Sequence, residues 1–207
     1  MIELIQADCL DYMKAQPDQS FALVIADPPY RDAIDNAPVR GMRKHGGDMS
    51  GFGDKPTAEY FNEVKRISKN YIIWGGNYFP ELWPCKGFIF WHKKNPAPNF
   101  SDGELAATSF NKVARCYDFQ YFGNIEGNTK APDRIHPTQK PVKLYEWLLY
   151  NYAELGDRIL DTHLGSGSSA IAAHNRRFEF VGVELDPEYF KKASKRLQNH
   201  QNQLRIF

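Results

Sequence analysis

Asp27-Pro28-Pro29-Tyr30 closes an uncharged run, Phe21-Ala22-Leu23-Val24-Ile25-Ala26, and each of its residues has a chemical use. Proline has no N–H and a fixed φ, so a tandem pair cannot extend a strand's ladder and leaves the Pro28 carbonyl as a free acceptor. The Asp27 carboxylate is a second acceptor beside it. Two neighbouring acceptors suit an exocyclic amino group, which carries two N–H donors. Accepting both would draw the nitrogen lone pair out of conjugation with its ring and aim it at an electrophile. Tyr30 adds a flat face on which that ring can stack. A plain proline turn after a core strand would use the same letters, and the tetrapeptide alone does not choose between the two.

A second group stands far along the chain. Gly165-Ser166-Gly167-Ser168-Ser169-Ala170 lies between a short strand ending at Asp161 and a helix. Its glycines let backbone approach a ligand closely, and the helix N-terminus offers free N–H donors, as in nucleotide-binding βαβ units. Glu184 ends the following strand, where an acid can accept from both hydroxyls of a ribose. The same pattern is the dinucleotide fingerprint, so an NAD-dependent oxidoreductase is a rival reading. Against it, the glycine turn stands toward the C-terminal end, whereas a nicotinamide domain continues into a further half-sheet. Hydride transfer also has no need of an amino-group acceptor.

These groups need strands and helices to place them. Ile2-Glu3-Leu4-Ile5-Gln6 alternates as a short strand, and Asp8 behind it reads locally as the N-cap of a helix over 10–15. Residues 57–69 carry Tyr60, Val64 and Ile67 on one helical stripe, and Tyr71-Ile72-Ile73-Trp74 is a buried strand stopped by Gly75-Gly76. Gly87 to Trp91 is another strand. After His136-Pro137-Thr138-Gln139-Lys140-Pro141 comes a helix with Leu144, Trp147, Leu148 and Tyr152 on its stripe. Residues 178–185 form an apolar strand, and Asp186-Pro187 starts a last helix.

Two stretches are weaker. Residues 31–56 are rich in glycine and charge, which predicts a mobile loop whose Arg40, Arg43 and Lys44 reach phosphates, or else a solvated face. Residues 96–134 predict an antiparallel hairpin from 107–113 and 117–122, with irregular loops around it. Their basic residues Lys112, Arg115, Lys130 and Arg134, mixed with Phe100, Phe110, Tyr117 and Tyr121, suit either a nucleic-acid surface or a half-buried hairpin.

A chain of 207 residues suits a single domain, and its 42% hydrophobic and 25% charged content is that of an ordinary globular protein. The net charge of +1 advertises no polyanionic partner, so a nucleic-acid surface must be a local patch. Cys9, Cys85 and Cys116 are odd in number and widely spaced, which predicts reduced thiols in a cytosolic compartment. With the histidines equally scattered, no metal site is expected. No stretch approaches a membrane span, and the N-terminus lacks a signal-peptide pattern.

With both groups in view, the chain resembles the S-adenosylmethionine-dependent amino-group DNA methyltransferases, in the permuted class whose catalytic motif precedes its cofactor motif. The resemblance rests on Asp8-Cys9-Leu10, Asp27 to Tyr30, Trp74-Gly75-Gly76-Asn77-Tyr78-Phe79, His136 to Pro141, Asp161 to Ser168 and Val183 to Pro187, in that order across nearly the whole chain. It looks most like small phage-type adenine-N6 enzymes. The resemblance implies a Rossmann-like α/β fold: a seven-stranded, mostly parallel, circularly permuted sheet with an antiparallel hairpin and helices on both faces. In it the N-terminal strand lies beside residues 181–185. Residues 1–207 would be one catalytic domain, with 96–134 a small target-recognition insertion. By resemblance Asp27-Pro28-Pro29-Tyr30 holds an adenine rotated out of double-stranded DNA. Asp8, Cys9, Asp161, Gly165, Ser166, Gly167 and Glu184 surround the cofactor, Asp8 at its adenine amino group and Glu184 at its ribose. Thr138 and Lys140 would face its methionine carboxylate. The family commonly has Pro and an aromatic residue after the first aspartate, where this chain has Thr162 and His163. Cytosine N4 presents the same two donors and is the alternative target; a non-catalytic DNA-binding relative is another. Relatives often pair, so a homodimer is an expectation, in a bacterial or phage-infected cytoplasm, with no obligate protein partner evident.

Overall fold

The computed structural model describes residues 1–30, 55–94, 101–122, 125–127, 129–130, 134–136 and 138–203. The chain opens on β1 (Ile2–Gln6) and the short helix α1 (Cys9–Lys14), capped by Asp8, whose Oδ1 accepts from the N–H groups of Leu10 and Asp11 at 2.8 and 3.0 Å. β2 (Phe21–Ala26) is buried along nearly all its length, as an apolar run without alternation requires. Next come α2 (Ala58–Ile67), β3 (Ser68–Trp74), β4 (Gly87–His92), β5 (Gly103–Thr108) and β6 (Arg115–Asp118). Three two-residue strands, β7 (Tyr121–Phe122), β8 (Ile125–Glu126) and β9 (Thr129–Lys130), make a small antiparallel sheet. The chain then runs through α3 (Val142–Tyr152), β10 (Arg158–Asp161), α4 (Ser168–Arg176), β11 (Glu179–Glu184) and α5 (Pro187–Asn202).

The main sheet has the order β1-β11-β10-β2-β3-β5-β4-β6. All neighbours run parallel except the two pairs made by β5. As expected, the N-terminal strand lies against β11, from Ile2 opposite Phe180 to Gln6 opposite Glu184. Alternation along β2 feeds both faces. Leu23 and Ile25 pack into a layer with Leu148 of α3, Ile171 of α4 and Leu197 of α5. Val24 and Ala26 pack with Met13 of α1 and Phe61 and Val64 of α2.

Two details differ from expectation. The sheet has eight strands rather than seven, because β6 adds itself parallel to β4 at the outer edge. Three of its four side chains are exposed, so it carries no buried-face alternation to read. The hairpin also forms one element earlier. β4 and β5 pair from Gly87 opposite Thr108 to His92 opposite Gly103, and residues 107–113 and 117–122 do not pair with each other. Gly103 permits the approach, since a Cβ there would lie 2.3 Å from the Trp91 carbonyl oxygen.

The aromatic residues of this region turn inward. Tyr117 stacks on Trp147 at 4.9 Å and Phe110 packs on Tyr152 at 5.1 Å, both against α3, while Lys112 donates to the Asn151 carbonyl. Residues 31–54, with Arg40, Arg43 and Lys44, and Phe100 lie outside the described residues, as does the Lys130 side chain. Among the described residues no helix is long and apolar enough to cross a membrane, and no three His, Cys, Asp or Glu are grouped to hold a metal.

Gly75 and Gly76 turn the chain where β3 ends. Gly75 has φ +67°, and a Cβ on Gly76 would sit 2.6 Å from both the backbone nitrogen and the Cβ of Ala107 on β5. Gly76→Ala should therefore cost about 1–3 kcal/mol through overpacking. Urea unfolding should show a lower midpoint with an unchanged slope; a wild-type midpoint would mean that β3 and β5 part there freely.

Candidate active site

Because β1, β11, β10 and β2 run in one direction, their C-terminal ends share an edge. Asp8, Glu184, Asp161 and Asp27 each stand at or just past one of those ends, so the topology itself gathers four carboxylates. A cavity of about 600 Å³ opens there, lined among others by Asp8, Cys9, Asp27, Pro29, Thr138, Lys140, Gly165, Ser166 and Glu184. That is within the range of roughly 300–1,000 Å³ usual for small-molecule sites. Pro28, Tyr30, Asp161 and Gly167 do not line it.

Each of those four has a different position. Asp161 is buried behind the glycine turn, accepting from the Ser169 hydroxyl at 2.5 Å and the His163 N–H at 2.9 Å. Burial pushes its carboxyl from the ordinary 3.8 up to about 7, against the pull of those hydrogen bonds. Gly167 has φ +72° as the N-cap of α4, and a Cβ on it would come within 3.2 Å of the Ala193 Cβ on α5. Asp161 and Gly167 therefore shape the turn from behind, where contact with a ligand was expected. Tyr30 stacks on Tyr78 at 4.8 Å with 17° between the rings, and a Cβ on Gly75 would meet its ring at 2.7 Å. Pro28 is buried, and among the described residues no backbone N–H donates to its carbonyl.

On one side of the cavity, backbone and acid hold each other. The Gly165 N–H donates to Glu184 Oε2 at 2.7 Å, and the Asp186 N–H to Oε1 at 3.0 Å. Each oxygen keeps a further lone pair for a ligand. Gly165 needs its φ of +51°, a region that side chains rarely enter. The His136 ring lies against Gly165 and packs edge-on to Tyr189 at 4.4 Å, with the Thr138 hydroxyl 3.2 Å from its Nδ1. His136, Tyr189, Tyr60 and Tyr145 line the cavity without having been singled out from the sequence. His136 sat inside the His136-to-Pro141 segment; Tyr60 and Tyr189 read as stripe residues of their helices, and Tyr145 lay off the stripe read for its helix.

The other side is a run of charge. Lys140 Nζ binds Oδ2 of Asp27 and lies 3.0 Å from Glu104 Oε2, while Lys93 binds Glu104 Oε1. The Lys140 side chain is only 2% exposed, so its ammonium faces two carboxylates of its own chain rather than the cofactor carboxylate expected for it. Burial disfavours that ammonium, but Asp27 and Glu104 outweigh the penalty and hold its pKa up. Glu104 is partly buried, its side chain 23% exposed, and Lys140 and Lys93 bring its carboxyl down to about 2 against the push of desolvation. Glu104 was missed; a single acid in Gly103-Glu104-Leu105-Ala106 reads as an exposed strand residue.

Thr162 and His163 gain an explanation. Thr162 Oγ1 lies 2.7 Å from the Tyr60 hydroxyl and 2.9 Å from His163 Nδ1, and His163 Nε2 lies 4.0 Å from Cys9 Sγ. A polar chain thus ties α2 and α1 to the turn after β10. Burial lowers the His163 pKa from 6.5 to about 4. The unfolded chain then binds more protons than the folded one between those values, so stability is lost as pH falls through the window. Asp161 acts oppositely: its folded pKa is raised, so its contribution is full at low pH and lost as pH rises toward 7. Relative to wild type, His163→Gln should gain stability on acidification from pH 7 to 4 and Asp161→Asn should lose it. Denaturation curves at stepped pH measure both slopes; parallel curves would refute the assignment.

Comparison with known proteins agrees with this geometry. The N6_N4_Mtase family, described as DNA methylase, matches residues 107–195, which hold the glycine turn and Glu184 but not Asp27. The chain is 26% identical to the type II methyltransferase M2.DpnII of Streptococcus pneumoniae over 94% of its own length and 89% of the relative's. The M1.HpyAVI–SAM complex superposes with a TM-score of 0.62 at 24% identity, covering 95% of this chain and all, 100%, of that one. The cytosine-N4-specific PvuII DNA methyltransferase gives 0.63 at 12% identity over 97% of this chain and 91% of that one, a likeness of fold alone. A family match over residues 107–195, near-full-length similarity to a type II methyltransferase and a shared fold point the same way: the chain is similar to the N6/N4 DNA methylases.

Proposed function

We propose that this DNA methyltransferase acts on the N6 amino group of adenine in double-stranded DNA. One observation carries the reading. Among the described residues, Asp27 Oδ1 is buried with no hydrogen-bond partner at the cleft that Asp27, Gly165 and Glu184 line, and the carbonyl of the next residue, Pro28, is also free, behind that lining. An unpaired buried acceptor costs roughly 1–3 kcal/mol, so a site that keeps one uses it.

The cofactor is S-adenosylmethionine, which when bound supplies an electrophilic methyl group. The residues present fit it: Glu184 has lone pairs for ribose hydroxyls, Asp8 keeps Oδ2 clear of its cap bonds, and Gly165 bares backbone to the cavity. Toward the substrate, Asp27 Oδ1 and the Pro28 carbonyl take the two N–H donors of an amino group and turn its lone pair out of the ring. The base must leave the helix first, since its amino group is otherwise paired and stacked. Tyr30, with Tyr78 stacked on it, forms an aromatic wall beside that position. Holding nucleophile and methyl donor together supplies about 7–11 kcal/mol by effective-molarity reasoning. Of residues 96–134, expected as a target-recognition insertion, β5 belongs to the main sheet and brings Glu104 to the site; the rest of that stretch is assigned to the DNA target, and the cytoplasm is the place of action.

Incubation of duplex DNA with tritium-labelled methyl donor should label the DNA, and digestion should yield N6-methyldeoxyadenosine. N4-methyldeoxycytidine would give the second reading, which the same two acceptors serve equally; unlabelled DNA would remove both. Asp27→Ala should lower kcat by about 10²–10³ or more, on the scale of losing one preorganised polar group, while cofactor affinity measured by calorimetry stays near wild type.

A further inference from the structure

Asp27 is used asymmetrically. Oδ2 is taken by the Lys140 ammonium, while Oδ1 is shut off from water with no partner among the described residues. Lys140 is itself fixed from two more sides, 3.0 Å from Glu104 Oε2 and 5.4 Å over the Trp74 ring. Glu104 is held by Lys93, just past β4. Charges thus alternate from the tip of β2 to the β4–β5 hairpin, and the four sum to zero. We propose that Lys140, anchored by Glu104, is a positioning residue for the acceptor carboxylate: it holds Oδ2 of Asp27 and keeps the group ionised, so that Oδ1 is the oxygen offered to the amino group. The proposal rests on the reading above that Asp27 receives that amino group.

The chemistry requires such a device. A protonated Asp27 would present an O–H donor to a group that is itself a donor, and the lone pair would not be released. Burial drives a carboxyl toward that neutral form, and it leaves Asp27 raised even with Lys140 against it, so the hold of Lys140 limits the rise rather than cancelling it. Lys140 and, at longer range, Lys93 oppose the push; Glu104 adds to it. Among the described residues, the remaining titratable groups facing Asp27 are Tyr30 behind it, Asp161 at the end of β10 and Tyr145 on α3. Both tyrosine hydroxyls are raised by burial and stay neutral. Lys140 is thus the cation in direct contact, and Glu104 fixes where it stands while drawing off part of its field. A role for Lys140 on the cofactor's carboxylate makes a different prediction, because its loss would then weaken cofactor binding and leave the ionisation of Asp27 alone.

The test is the pH profile of kcat for the full-length enzyme on duplex DNA, with cofactor affinity measured separately by calorimetry. Lys140→Met should lower kcat and move the acid limb to higher pH by about one to three pH units, with cofactor affinity near wild type. Glu104→Gln, which keeps the shape and the Lys140–Asp27 pair, should move the limb the other way, to lower pH. This variant carries the test if Lys140→Met does not fold. An acid limb unmoved in Glu104→Gln, or a Lys140→Met enzyme with a wild-type limb and a cofactor affinity weakened tenfold or more, would overturn the proposal. Asp27→Ala, which removes the acceptor altogether, separates the two levels. Full turnover there would remove the reading of Asp27 itself, whereas an inactive Asp27→Ala beside unmoved limbs would remove only the role given to Lys140 and Glu104.

Discussion

A carboxylate buried in a protein cleft stays charged only if a cation stands against it, and the Asp27–Lys140 contact is where this fold meets that constraint. Moving each ion out of water costs several kcal/mol even after relaxation, so such a pair is a poor means of adding stability. Its value here is chemical. The partners come from three places distant in sequence: the tip of β2, the segment before α3, and β5. They meet only because β5 runs antiparallel between β3 and β4 and brings Glu104 to the edge where β2 ends. The hairpin, which looks peripheral to a parallel α/β sheet, is thereby part of the site.

The cofactor half follows a different rule. There the carboxylates are secured by backbone N–H groups of their own neighbourhood: Asp8 by the first turn of α1, Glu184 by Gly165 and Asp186, Asp161 by His163. Each acid stabilises a turn that a strand end must make, and Asp8 and Glu184 keep lone pairs turned to the cavity. Asp161, aided by Ser169, has both oxygens engaged behind the turn. That division explains why acids recur at the ends of β1, β11, β10 and β2 while only some of them reach a ligand.

Those acids were legible because their signals are local. Asp8 and Asp186 each precede a helix start, and both cap it as the spacing says. The buried run of β2, the stripe of α2 and the pairing of β1 with β11 followed from apolar pattern and resemblance. What escaped depended on neighbours the pattern does not name. β6 is an exposed edge strand, so nothing in its four residues alternates. Gly167 looked like a ligand-facing glycine, but its need arises from Ala193 on the last helix. Glu104 is an isolated acid whose meaning lies entirely in Lys93 and Lys140.

The two halves therefore differ in what they can do. Bonds from an acid to its own turn break only if the turn opens, so Asp8, Glu184 and Asp161 are fixed before any ligand arrives, the preorganisation that spares reorganisation at the moment of reaction. Asp27 is tied to a side chain instead, and a lysine stem has freedom that a turn lacks. Of Asp8, Glu184, Asp161 and Asp27, the acceptor Asp27 is thus the one whose field a neighbouring cation sets. Proline supplies the rigidity that the side-chain tie does not: with Pro28 and Pro29 following it, the backbone at the β2 tip has two φ angles fixed in advance. A rigid main chain carrying an electrostatically tuned carboxylate is the combination that a reaction on a neutral, weakly nucleophilic amino group requires.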